Sequence, residues 1–470
     1  MTDAIVVGGG FAGVAAATAL AEGGARVQLL EARPYLGGRA RSFVDEETGA
    51  IVDNGQHLFM GCYVETRRLL ERLGTAAGLG LQPRLEVPFL ERGGRTVTFS
   101  LPPLPSPLDL AAGFLKFPGM TWGGRLSLLR VAREVARHRD GGPGPAAAGR
   151  GGVLDDLSVG EWLAALGQSP RSCERFWHPL AIAALNEEPE RASAAMFLPV
   201  LREAFLRGPE GSRLGIPRVG LSQLYAEPAP HFLRARDGRV RLRAPVREIR
   251  LEQGRCVGVR LADGGSIDAP AVVAAVPHTE LLELLPGAEA EHPFLSGLKR
   301  LETSPIVSIY LWFGGPITGL PFAGLIGGAW HWLFNRGATP ARPGAPDCVT
   351  LVRSAARGMM DRPRESLERS ALEDLHEFLP ESRRVRLRRS LVIKEKRATL
   401  APLRGTLGLR PPSRTPWPGL HLAGDWTATG LPATVEGAVL SGHRCARQVL
   451  EDRLPAGVGE RRAAPAVPDA

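Results

Sequence analysis

Lysine is nearly absent from this chain of 470 residues: only Lys116, Lys299, Lys394 and Lys396 occur, and every other basic residue is arginine. The formal net charge is nonetheless +9. Such an excess invites a nucleic-acid or anionic-membrane partner. Alongside abundant Ala, Gly and Pro it also reads as a plain coding bias. The densest cationic run, Arg383-Arg384-Val385-Arg386-Leu387-Arg388-Arg389, carries no interleaved aromatics. That argues against a nucleic-acid groove and suits a strand edge with one solvated face. A weak attraction to anionic lipid stays open. Cysteine is scarce too. Cys62, Cys173, Cys256, Cys348 and Cys445 show no C-x-x-C spacing, which speaks against a zinc site or disulfide framework and fits a reducing compartment. No apolar run reaches the roughly 18 residues a spanning helix needs. The start, Met1-Thr2-Asp3-Ala4, enters a strand pattern without a basic flank or cleavage site, so a cytoplasmic address is expected. The length suggests two or three domains.

What is present begins at once. Ala4-Ile5-Val6-Val7 is a buried-strand pattern, and Gly8-Gly9-Gly10-Phe11-Ala12-Gly13 follows directly. An Ala-rich helix then runs to Gly23-Gly24, and Arg26 to Leu30 forms a second strand closing on Glu31. In this βαβ unit Gly8 permits the tight turn, Gly10 lets backbone approach a pyrophosphate, and Gly13 lets helix and strand pack closely. Glu31 sits where a carboxylate binds both ribose hydroxyls. Next comes Gly37-Gly38-Arg39, a loop from which backbone and guanidinium reach a phosphate together. Near the other end, a strand runs into Gly424-Asp425, and a helix pattern starts after Pro432-Ala433-Thr434. Asp425 suits a ribityl hydroxyl, or alternatively an N-cap. Helix amides around 434–436, Glu436 included, suit the electron-rich edge of a flavin. A dinucleotide as long as FAD needs both ends of a chain in this way.

With these residues in place, the sequence resembles the FAD-dependent amine oxidase and phytoene desaturase superfamily. Within it, Asp53-Asn54-Gly55-Gln56-His57, Leu185-Asn186, Val219-Gly220-Leu221-Ser222, Glu395-Lys396-Arg397-Ala398-Thr399 and the segment 424–434 are most similar to the hydroxysqualene dehydroxylase (squalene-associated FAD-dependent desaturase) subgroup. The resemblance runs from about 4 to about 450. It implies an α/β fold: a Rossmann-like FAD-binding domain of three-layer ββα type, and a second domain of mixed sheet plus helices for substrate. The expected FAD domain is discontinuous, at 1–75, 215–295 and 415–453. The substrate domain takes 76–214, with a helical insert, and 296–414, and a polar tail at 454–470 is expected to be disordered. The resemblance adds Phe11, Ala12, Ala32, Arg33, Gly55, Gln56, His57 and Val246 to the FAD-contacting set. No cysteine has a covalent-flavin context, so non-covalent FAD is expected, with no metal.

The implied reaction is reduction of hydroxysqualene to squalene in squalene and hopanoid biosynthesis. A carotenoid-type desaturase running hydride the other way, or a non-catalytic FAD-binding partner of a squalene-forming complex, are the alternatives. His57 is either a proton donor or a ligand to FAD or backbone. Glu188, beside Glu187, is either an acid held protonated in an apolar pocket or half of a solvated pair. Trp177, and the alternating Trp330, Trp332 and Phe334, are either cavity wall or core. A C30 isoprenoid lives in lipid, so a peripheral contact with an anionic membrane, on the inner face, is implied, with other enzymes of the pathway as further partners. Two amphipathic helices at 107–140 are the candidate surface, with Phe114, Leu115, Phe117 and Met120 beside Lys116. The second is expected to bury Leu128, Leu129, Ala132, Val135 and Ala136 as one stripe. The Gly- and Pro-rich stretch 141–152 reads as a surface loop.

Overall fold

The structure is a computed structural model, and it describes residues 2–118, 120–138, 152–336 and 347–453. The expected tail at 454–470 and nearly all of the loop at 141–152 lie outside the described residues.

Five short strands form an all-parallel sheet in the order Arg239–Arg241, Val27–Leu30, Ala4–Val7, Val272–Ala274, Leu420–Leu422. Its central strands are buried on both faces, which is why they read as unbroken apolar runs. One face is covered by the helices Phe11–Glu22 and Val435–Arg453. These helices cross closely because their contact is built from small residues. A side chain at Gly442 would collide with the backbone of Ala12 and Ala16. The other face is covered by an antiparallel ribbon, Val246–Glu252, Arg255–Leu261 and Ser266–Asp268. The three layers are therefore helix, parallel sheet and antiparallel sheet, as expected.

A second, seven-stranded sheet is mixed. Its order is Leu387–Leu400, Thr303–Phe313, Cys348–Arg353, Trp332–Asn335, Phe322–Leu325, Glu86–Glu91, Arg95–Ser100. The helix Arg364–Phe378 packs on one side of it, and a helical insert on the other. Within the insert, Ser158 and Glu161 close a capping box at the start of helix Val159–Ala165. The arginine-rich run begins in a 3-10 turn, Pro380–Arg384, and only its last three residues enter the edge strand, which starts at Leu387.

Three expectations are corrected here. Helix Trp122–Arg137 buries Gly124, Ser127, Val131 and Val135, whereas Leu129, Ala132 and Ala136 face solvent. Apolar residues lie on two sides of this helix, so periodicity alone does not choose the buried one. Phe117 and Met120 are core residues, not surface. Trp330 lies outside the strand Trp332–Asn335. It is buried against the helix Arg364–Phe378, and its backbone amide donates to the Asp374 carboxylate at 2.8 Å.

Candidate active site

The first strand ends in the glycine turn. Gly8 has φ +103°, and a side chain there would meet the Ala275 carbonyl at 2.5 Å. A side chain at Gly13 would overlap the Gly8 carbonyl, so helix and turn can touch only through glycine. Gly10 differs: a Cβ there would meet nothing within 4 Å. Helix Phe11–Glu22 starts at this open position, and its first-turn amides have no intrahelical acceptors. The result is a cradle for an anion. Glu31 lies beside it, buried, and accepts from the amides of Gly9 at 2.8 Å and Arg33 at 2.9 Å. The carboxylate is thereby fixed with lone pairs to spare for a diol. Ala32 and Arg33 are exposed at the rim. The amides of Arg243 and Ala244 bond the carbonyls of Arg33 and Glu31, which brings the start of Val246–Glu252 alongside. Phe11 stacks on Tyr225 at a 3.6 Å centroid distance. The Tyr225 hydroxyl donates to the carbonyls of Gly37 and Ala40, propping the Gly-Gly-Arg loop.

That loop carries the chemistry across the site. Arg39 donates to the Asp425 carboxylate at 2.8 Å and to the Ala398 carbonyl at 2.9 Å. Asp425 beside it holds the guanidinium above its usual range. The two sequence candidates, 386 residues apart, thus form one ion pair. Asn54 bridges the Arg39 carbonyl and the Glu395 carboxylate. Gly424 has φ +150°, and its amide donates to Ser441. Arg410 is buried and donates to the carbonyls of Asp425 and Leu431 and to Thr429 Oγ1, at 2.9, 2.6 and 3.1 Å. Burial pushes its pKa down to about 10. It staples the turn before helix Val435–Arg453. The Glu436 carboxylate points toward helix Val64–Arg72, accepting from the amides of Glu65 and Thr66 and from Thr66 Oγ1. Arg410 and Tyr225 escaped the sequence reading as site residues, and Glu395 entered it only through the resemblance. A lone Arg in a Pro-rich stretch carries no spacing signal.

Next to this segment lies a cavity of about 770 Å³. It is lined by Thr429, Leu431, Pro432, Thr434 and Glu436, by Leu58, Met60, Phe89, Phe99, Phe176, Leu180 and Trp332, and by the charged Arg68, Arg202 and Glu203. A π-turn at Cys173–Trp177 sets Phe176 into the wall. Trp177 is core instead, donating to Gln168 at 2.8 Å. Cys62 also borders the cavity, but burial raises its thiol to about 12, so it is not a thiolate.

His57 lines a separate recess of about 40 Å³ with Asp53, Gln56, Phe334 and Arg336. Its Nδ1 lies 3.1 Å from the Gly55 carbonyl, and burial depresses its pKa. The ring is then neutral at pH 7, Nδ1–H donating and Nε2 free to accept. Gln56 donates to the Tyr310 hydroxyl, which donates to the Asp53 carbonyl. Asp53 also pairs with Arg336 at 3.0 Å. Glu188 does not border the cavity. It accepts from Arg353 at 2.7 Å, with burial raising its pKa. Glu187 is fully buried in a two-point pair with Arg357. Asn186, at φ 52°, ties Ser304, Thr399 and Ala355 together. Among the described residues no His, Cys, Asp and Glu group is placed to hold a metal.

Cradle, diol-binding acid, phosphate-loop arginine and helix end all fit one extended flavin dinucleotide. Residues 11–450 match the flavin containing amine oxidoreductase family, and the chain belongs to that family. It is an FAD-dependent oxidoreductase. Among its relatives, the hydroxysqualene dehydroxylase of Rhodopseudomonas palustris is 31% identical over 465 residues, covering 95% of this chain and 97% of that protein. The hydroxysqualene dehydroxylase of Sinorhizobium fredii is 32% identical over 455 residues, covering 95% and 98%. Among solved structures, putrescine oxidase bound to putrescine superposes with a TM-score of 0.70 at 18% identity, covering 96% of this chain and 99% of that one. That likeness speaks to the fold.

Proposed function

We propose that the chain reduces hydroxysqualene to squalene. One observation carries the reading: a largely apolar cavity of about 770 Å³ abuts the segment 429–436 that ends the cofactor site. The names of the two relatives point the same way. Bound and reduced, FAD supplies the hydride. One allylic C–O bond breaks, one C–H bond forms, a proton is taken up and water leaves. The chain's tasks are to bind the cofactor without a covalent link, orient the hydrocarbon and exclude bulk water. Gly8, Gly10, Gly13 and the first turn hold pyrophosphate, Glu31 the ribose, and Arg39 with Asp425 the middle of the cofactor. The cavity walls give the oily chain a dry, shaped site. In this reading the free Nε2 of His57, in the recess that shares Leu58 with the cavity, takes up a proton and releases it toward the leaving oxygen. Glu188, engaged by Arg353, serves the scaffold in this reading. The FAD domain comprises 1–75, 215–295 and 415–453, in line with a parallel sheet that draws strands from all three. Such a substrate is dissolved in lipid, so contact with an anionic membrane surface belongs to the reading. The test is an anaerobic incubation of the holoenzyme with dithionite and hydroxysqualene, with products read by gas chromatography–mass spectrometry. Squalene as product supports the proposal; recovery of unchanged substrate overturns it.

A further inference from the structure

Large apolar side chains exposed to solvent are few, and they are not scattered. Among the described residues eight are exposed, and six of them, Leu104, Leu108, Leu115, Trp122, Leu126 and Leu129, fall in one stretch. Two consecutive helices carry most of them. In Leu108–Lys116 the outward positions are Leu108, Ala111 and Leu115; in Trp122–Arg137 they are Trp122, Leu126 and Leu129. Each set follows helical spacing, so each helix has a second apolar stripe besides the one it buries. Trp122, Leu126 and Leu129 are 69%, 68% and 69% exposed, apolar surface whose burial is favourable.

The charges in this stretch select the occupant. Lys116, Arg125, Arg130, Arg133 and Arg137 stand against only Asp109 and Glu134. Asp109 is buried, and Glu134 is paired with Arg137 and His138. Arg125 lies over the Trp122 ring at 4.6 Å, an amphipathic pair suited to a headgroup boundary. An apolar stripe rimmed by cations fits an oily phase with an anionic surface. The inner side of the first helix backs onto the cavity wall. Phe114 packs on Phe99 and Phe176 at centroid distances of 5.1 and 5.0 Å, and both of those line the cavity. Leu115, the next residue, faces outward. One helix, about 10 Å across, therefore separates the exposed stripe from the cavity wall.

We infer that the outward faces of helices Leu108–Lys116 and Trp122–Arg137 dock on an anionic lipid bilayer, turning the Phe99 and Phe176 wall of the cavity toward the membrane with the first helix between. The inference rests on the proposed lipid-borne substrate for its purpose, and its test uses no substrate. The holoenzyme is floated with vesicles of phosphatidylglycerol and phosphatidylcholine, and with pure phosphatidylcholine vesicles. Wild type should float with the anionic vesicles and show a blue shift of tryptophan emission. The triple variant Trp122→Ser/Leu126→Ser/Leu129→Ser should lose binding by about tenfold or more. Arg130→Ala/Arg133→Ala should lose mainly the preference for anionic vesicles. FAD content and melting temperature serve as the folding control for both variants. Wild type that stays with the free protein, or a folded triple variant that floats like wild type, overturns the inference. So does a wild-type dimer in size-exclusion chromatography that the triple variant turns monomeric without change in flotation; a second copy is then the occupant. Turnover of detergent-dispersed substrate, measured separately, reports on the proposed reaction alone.

Discussion

Two glycines three residues apart separate folding from cofactor binding. Gly13 touches the Gly8 carbonyl and admits no side chain, whereas Gly10 faces open space. Gly13→Ala should therefore cost about 3 kcal/mol or more of stability, read by urea denaturation of the apoprotein. Gly10→Ala should leave apoprotein stability within about 1 kcal/mol, yet weaken FAD binding by at least about tenfold in an equilibrium titration. Equal losses of stability in both would dismiss the cradle. His57 gives a second test with a definite sign. Burial lowers its pKa below the usual 6.5, and the proposed role needs the protonated ring. Turnover should then rise as pH falls toward that depressed pKa and decline as pH increases above it. His57→Gln should flatten the profile as well as reduce the rate. An unchanged profile in the variant would leave His57 as a loop ligand only.

The loop between strand Leu420–Leu422 and helix Val435–Arg453 is the element on which the cofactor site turns. Its carbonyls converge on one buried guanidinium, Arg410, rather than on solvent. Arg410→Met keeps much of the bulk but leaves those acceptors unpaired, at about 1–3 kcal/mol for a buried group. Holoenzyme carrying it should melt earlier and show altered visible circular dichroism of the flavin. If only the melting temperature moved, Arg410 would be ordinary scaffold. Elements were legible where a short segment contains its own reasons. The βαβ unit was of that kind. The second amphipathic helix was not: with apolar residues on two sides, its buried face was chosen by the core it met, not by its own period.

At the scale of the whole molecule, the cofactor site was readable because its pieces are local signatures. Their junction was not. That Arg39 meets Asp425, or that Glu395 reaches Asn54, depends on how the second sheet docks against the first. The cavity was still less visible, since its wall draws on loops and helices from Leu58 to Arg444. No helix among the described residues is long and apolar enough to cross a membrane. The exposed stripes are where this fold offers a surface for the proposed lipid contact. The central claim concerns the direction in which electrons pass through that cavity. It is tested most directly by one anaerobic single turnover, in which holoenzyme holding fully reduced flavin is mixed with hydroxysqualene and followed by absorbance. The flavin should return to its oxidised spectrum as one squalene forms per flavin. Flavin that stays reduced with hydroxysqualene, while oxidised enzyme is bleached by a squalene- or phytoene-like hydrocarbon, would contradict the account and reverse the hydride.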